Sequence, residues 1–109
     1  MTTYASADDL TAGDLGEGED LTLPSGRKLR VRPLSRHGLI NAGKGTEDAS
    51  LVERRNVKAC LVQPVMTMEQ IETWQRKSKA GGDFKVLSEW IRDKSGLGEG
   101  ADKSAVRGV

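Results

Sequence analysis

Leu21-Thr22-Leu23-Pro24-Ser25-Gly26-Arg27-Lys28-Leu29-Arg30-Val31-Arg32-Pro33 is the stretch that decides the fold. Leu21, Leu23, Leu29 and Val31 alternate with Thr22, Lys28, Arg30 and Arg32, the period-2 pattern of half-buried strands. Pro24-Ser25-Gly26 separates the two runs. Proline pre-sets one turn dihedral and glycine accepts a positive φ. A β-hairpin is therefore predicted, with strands over 20–23 and 28–32. Pro33 closes the second strand because it has no N–H to give to a ladder.

Upstream of the hairpin, residues 1–20 carry Asp8, Asp9, Asp14, Glu17, Glu19 and Asp20 and no basic residue, with Gly13, Gly16 and Gly18 interrupting any period. Such a segment buries too little apolar surface to offset its ordering entropy, so a disordered acidic arm is expected. It has neither the basic start nor the apolar run of a secretory signal.

Downstream the period changes to helical. A short helix is predicted over 35–42, capped by Ser35, with Leu39 and Ile40 inward. Gly43-Lys44-Gly45 links it to a longer helix over 46–62, with Thr46 as its cap and Ala49, Val52, Val57, Cys60 and Leu61 on one side. Gln63-Pro64 stops that helix, since the residue before proline avoids helical dihedrals. Thr67-Met68-Glu69-Gln70 has the form of a capping box opening a helix over 67–79 that carries Ile71 and Trp74. Gly81-Gly82 breaks it. Asp83 is expected to cap a last helix over 83–95, striped by Phe84, Leu87, Trp90 and Ile91. Gly96 stands where a C-terminal cap belongs. Residues 97–109 are small and polar and read as a flexible tail, with at most one turn around 101–106. The fold class expected is α+β: one domain over 21–96, a small hairpin followed by three to four helices.

The chain has 109 residues, 36% of them hydrophobic and 30% charged, so its core must be modest. Its net charge of +1 provides no general attraction to nucleic acid or an anionic membrane. No apolar run reaches the roughly 20 residues of a membrane helix.

Little in the sequence points to catalysis. A nucleophile–base pair would have to join the one cysteine, Cys60, to the one histidine, His37, with a third group to orient the imidazole. No spacing in the chain supports it. One His and one Cys do not make a closed tetrahedral metal site, and no spaced carboxylates replace the missing ligands. Gly43-Lys44-Gly45-Thr46 has glycines like a phosphate loop, and Gly38 stands five residues before Gly43 as that motif requires, but Gly45 occupies the place of its Ser/Thr and separates Lys44 from Thr46. No enzyme activity and no cofactor are expected.

Two features suit binding. Arg27, Lys28, Arg30, Arg32 and Arg36 form a basic run on the hairpin, with Lys28, Arg30 and Arg32 on one strand face. That face is either solvated, screened by the acidic arm, or a ribbon for phosphates. Trp74 and Trp90 lie on stripes of two helices flanking the double glycine. They serve either as core or as anchors of a groove between the helices. As core, Trp90 would cost about 3–5 kcal/mol on truncation to alanine.

The ordered stretch as a whole resembles tail assembly chaperones of long-tailed actinobacterial bacteriophages. The likeness rests on Leu21-Thr22-Leu23-Pro24-Ser25-Gly26 with Leu29-Arg30-Val31-Arg32-Pro33, then Val62-Gln63-Pro64-Val65-Met66-Thr67, Trp74, and Ser95-Gly96-Leu97-Gly98-Glu99-Gly100-Ala101. It spans about residues 20–107. The resemblance implies a short-form chaperone that keeps the tape measure protein soluble and helps tail tube protein assemble around it. It also implies a frameshifted longer form sharing this domain, action in the host cytoplasm, and absence from the mature virion. No catalytic residues carry over. A head–tail connector or minor tail protein, and a small DNA-binding regulator using the basic hairpin, are the competing readings. Candidate partner-binding residues are Ile71, Trp74, Leu87 and Trp90 on the helices, with Arg30 and Arg32 as an electrostatic guide; neither nucleic acid nor membrane is expected as a partner.

Overall fold

The computed structural model describes residues 3–97 apart from Asp14. The fold is α+β. Its elements run α1 (Ala7–Thr11), β1 (Glu19–Thr22), β2 (Lys28–Val31), α2 (Arg36–Gly43), α3 (Ala49–Cys60), β3 (Leu61–Gln63), α4 (Met68–Lys77) and α5 (Asp83–Lys94). The expected tail lies almost wholly outside the described residues.

The hairpin forms where the alternation places it. β1 and β2 pair antiparallel, with Asp20 opposite Arg30 and Leu21 opposite Leu29. Leu23 and Val31 are buried on the inner face, while Lys28, Arg30 and Arg32 stay exposed. Gly26 takes φ 90° in the turn. That turn is held from outside: the carboxylate of Asp83, at the start of α5, accepts from the Ser25 hydroxyl at 2.6 Å and from its backbone N–H at 3.1 Å.

Two differences from the sequence reading matter most. The helix expected to reach residue 62 ends at Cys60, and Leu61–Gln63 turns directly into a third strand. β3 pairs antiparallel with β2, Leu61 opposite Val31, across an irregularity at Arg30/Val31. The sheet order is β1-β2-β3. The second difference is in the arm, where Ser6 and Asp9 close a reciprocal capping box on α1. Those two bonds satisfy backbone donors that water would otherwise have to serve. No residue of α1 is buried. The junction of arm and sheet requires glycine: at Gly18 φ is 95°, and a Cβ would sit 2.8 Å from the Val31 carbonyl oxygen.

Helix ends follow the capping chemistry with small shifts. Ser35 caps α2 through the Gly38 N–H, and Thr67 and Gln70 form the reciprocal box on α4. Asp48, not Thr46, caps α3; Thr46 accepts instead from the Asp48 N–H. Gly82 is the α5 cap and Asp83 its first residue, which frees that carboxylate for Ser25. At the far end of α5, Gly96 has φ 78°, and Leu97 and Gly96 donate to Arg92 and Asp93, a Schellman closure.

The core lies between the inner face of the sheet and α3, α4 and α5. It comprises Leu23, Val31, Leu34, Val57, Cys60, Ile71, Phe84, Leu87 and Ile91. α2, α4 and α5 all pack on α3. Leu39 packs against the core, but Ile40, expected inward, is 56% exposed. Polar bonds lock α3 to its neighbours. Gln75 of α4 accepts from Arg54 and donates to Glu53, each at 2.9 Å, and Arg55 donates to the α2-end carbonyls of Ala42 and Lys44.

Full burial of Leu87 predicts that Leu87→Ala costs about 2–5 kcal/mol in a urea titration. Trp90 is only half-buried at the edge of the core. Trp90→Ala should therefore cost less than Leu87→Ala, below the 3–5 kcal/mol expected of a fully buried tryptophan. An equal or larger loss would mean that Trp90 is a central core residue.

The exposed arm gives a second expectation. Removing residues 1–13 should leave the melting temperature within about 2 °C of the full chain. Extending the deletion through Asp20 should lower it clearly, because Glu19 and Asp20 belong to the β1 ladder.

Candidate binding groove

The helical residues proposed from sequence separate into interior and surface. Ile71 and Leu87 have no exposed surface. Their stripes are turned onto α3 and the sheet, so a partner does not reach them. The expected open groove between the α4 and α5 stripes is filled by the molecule's own core. α4 and α5 instead meet edge to face, with the Trp74 and Phe84 ring centroids 4.9 Å apart. Trp74 and Trp90 remain half-buried, on different surfaces.

Trp74 faces a largely apolar depression. It is about 320 Å³ in volume and is walled by Leu23 and Leu29 of the hairpin, Pro64 and Met66 of the β3–α4 connection, and Gln70, Thr73 and Trp74 of α4. Val65, in the same connection, is 79% exposed. Lys58 reaches across to the Met66 carbonyl at 2.6 Å and holds this connection in place. A second depression of about 620 Å³ adjoins it, sharing Arg27 and Trp74 and continuing over Lys77, Lys79 and Asp83. The joined surface is thus apolar at one end and basic at the other. Among the described residues, Arg27, Lys77 and Lys79 form no ion pair, while Asp83 is engaged by Ser25.

Trp90 lines a smaller recess with Leu15, Glu19, Pro33 and Lys94, at the opposite end of the hairpin. Glu19 and Lys94 approach to 3.6 Å there.

Arg30 and Arg32 stand on the outer face of the sheet, away from the Leu29 side that walls the groove. Arg30 pairs with Asp20 at 3.4 Å, both groups well exposed, a contact worth little stability. The basic residue that does rim the groove is Arg27. Sequence reasoning placed it in the basic run without giving it a site. Leu23, Leu29, Pro64 and Met66 were likewise absent from the candidate set. The alternation of the hairpin placed Leu23 and Leu29 on its apolar face, and an apolar Pro-Val-Met run in a connecting segment was the signal for Pro64 and Met66.

The remaining chemical candidates are placed apart. His37 lies exposed on α2, 2.9 Å from the Asn41 amide, and Cys60 is fully buried at the end of α3. Gly43-Lys44-Gly45-Thr46 follows a helix rather than a strand, so it lacks the context of a phosphate loop. Among the described residues no His/Cys/Asp/Glu cluster is placed to hold a metal, and no helix is long and apolar enough to cross a membrane. No family model, curated protein or solved structure matches the chain.

Burial pushes the Cys60 thiol up from 9.0 to about 11, against a smaller opposing pull from Arg32. The unfolded chain loses this proton first. The stability linked to it is therefore intact below pH 9.0 and is lost as pH rises toward about 11. At pH 8 the native protein should react with a thiol dye far more slowly than the urea-unfolded chain. Rapid native labelling would place Cys60 at the surface.

Proposed function

We propose that this chain is a tail assembly chaperone of a long-tailed bacteriophage, holding an amphipathic helical segment of the tape measure protein. The observation that carries the reading, beside the resemblance of residues 20–107, is the Trp74 groove. An apolar helix face fits against Leu29, Met66 and Trp74, and acidic residues beside that face meet Arg27, Lys77 and Lys79. A groove this small and shallow suits reversible holding rather than permanent assembly. Arg30 and Arg32, outside the groove, act at longer range by raising the encounter rate. Under this reading the protein works in the host cytoplasm, meets tail tube protein during assembly, and shares its domain with a frameshifted longer form.

Co-expression with the tape measure protein of the same phage, followed by pull-down through a tag on this chain, is the direct test. A soluble complex is expected, with this chain scarce in purified particles by mass spectrometry. Abundance in particles would favour a connector or minor tail protein instead. Kinetics on the complex then locate the interface. Trp74→Ala should speed dissociation by about tenfold or more, as loss of a central aromatic anchor does. Arg30→Glu with Arg32→Glu should slow association at low salt and leave the off-rate nearly unchanged. If that charge reversal abolished binding at every salt concentration while Trp74→Ala did nothing, the interface would be the outer sheet face and not the groove.

A further inference from the structure

The arm and the body of this chain are complementary in two respects. All 17 basic residues follow residue 20, together with only ten of the 16 acidic ones, so the first 20 residues are purely acidic and the rest carries a basic excess. The arm also displays apolar side chains: Tyr4 is 86% exposed and Leu10 77%. Between them stand Asp8 and Asp9 on a helix that its own capping box holds in shape. The Trp74 groove offers the converse, an apolar floor of Leu29, Met66 and Trp74 beside the cations of Arg27, Lys77 and Lys79.

We propose that residues 4–10 of one copy dock into the Trp74 groove of a second copy. Leu10 and Tyr4 fill the apolar end, and Asp8 meets the Arg27–Lys79 rim while Asp9 keeps the helix capped at Ser6. The apolar end, about 320 Å³, is at the small end of the range for ligand sites, and with the adjoining basic depression of about 620 Å³ it gives room for a short segment. Topology favours exchange between copies over self-docking. The groove lies at the Pro24 turn, whereas residues 15–19 run against Pro33, Trp90 and Lys94 at the other end of the hairpin. The arm thus leaves the domain at the end away from its own groove. Two copies swapping arms would make a symmetric pair with two identical contacts. The area is small, so the association is weak, with Kd on the order of 100 µM or above. It is also salt-sensitive, because much of the match is ionic. The inference stands independently of which client the groove accepts.

Disulfide trapping on the full chain tests it, and the buried Cys60 gives little background. One sample carries Ala7→Cys in the arm, another carries Thr73→Cys at the groove, and both positions are exposed. Mixed under oxidised glutathione, they should form the Ala7–Thr73 heterodimer severalfold faster than either homodimer. About 1 M salt should suppress the excess. Adding Leu10→Ser to the arm variant should remove it, while circular dichroism shows the fold unchanged. Heterodimer at only the statistical proportion would overturn the proposal. So would a chain carrying both substitutions that closes its disulfide only within itself, since that would place the arm in its own groove.

Discussion

The backbone N–H of Arg32 donates to the carbonyl oxygen of Cys60 at 3.0 Å, and much of the architecture is fixed by what that bond joins. Arg32 follows directly on the central strand. Cys60 is the last residue of α3, and the next residue begins β3. No loop intervenes, so one peptide unit carries the helical layer into the sheet. Val57 and Cys60 are fully buried at this junction. α2, α4 and α5 all take their positions from α3. A one-residue slip of α3 would rotate Val57 and Cys60 out of the core and would also flip the side chains of β3 between sheet faces. Helix packing and strand register are therefore one constraint rather than two.

This coupling explains what sequence pattern revealed and what it hid. The hairpin was legible because Leu21, Leu23, Leu29 and Val31 alternate on either side of a Pro-Ser-Gly turn. The α4 start was legible because Thr67 and Gln70 satisfy each other's backbone neighbours locally. β3 was not legible. Three residues are too few to show a period of two, and their pairing partner lies about thirty residues upstream. Leu61 fitted the helical stripe of α3 equally well. α1 is hard to see in the sequence although Ser6-Ala7-Asp8-Asp9 carries a capping signature, because unbroken acidity and nearby glycines are the marks of a segment too polar to pack.

The candidate site shows the limit of stripes more sharply. Ile71 and Trp74 share a helix face, as do Leu87 and Trp90 at the same spacing, yet the structure buries one of each pair and leaves the other at the margin. Periodicity identifies a face, but packing decides how far across that face the interior extends. The Trp74 groove is assembled from residues 23, 29, 64, 66 and 74, which belong to three separate segments. Its basic rim and the basic outer sheet face both draw on one sequence run, Arg27 to Arg32. The turn and the pleat divide that run between two surfaces, so a single charge cluster in the sequence becomes two sites with different reach.

The sheet has two edges, and neither offers much to an extended chain. β3 is three residues long and is followed at once by Pro64, which has no N–H to donate. β1 is four residues long, begins at Glu19 and Asp20, and is entered through a left-handed Gly18. Short, charged or proline-ended edges are poor templates for strand addition. Under the chaperone reading proposed above, these guarded edges have a use. The Trp74 groove would grip side chains while the sheet presents no β-edge on which a bound chain, or a second copy of the protein, could begin to stack into fibres.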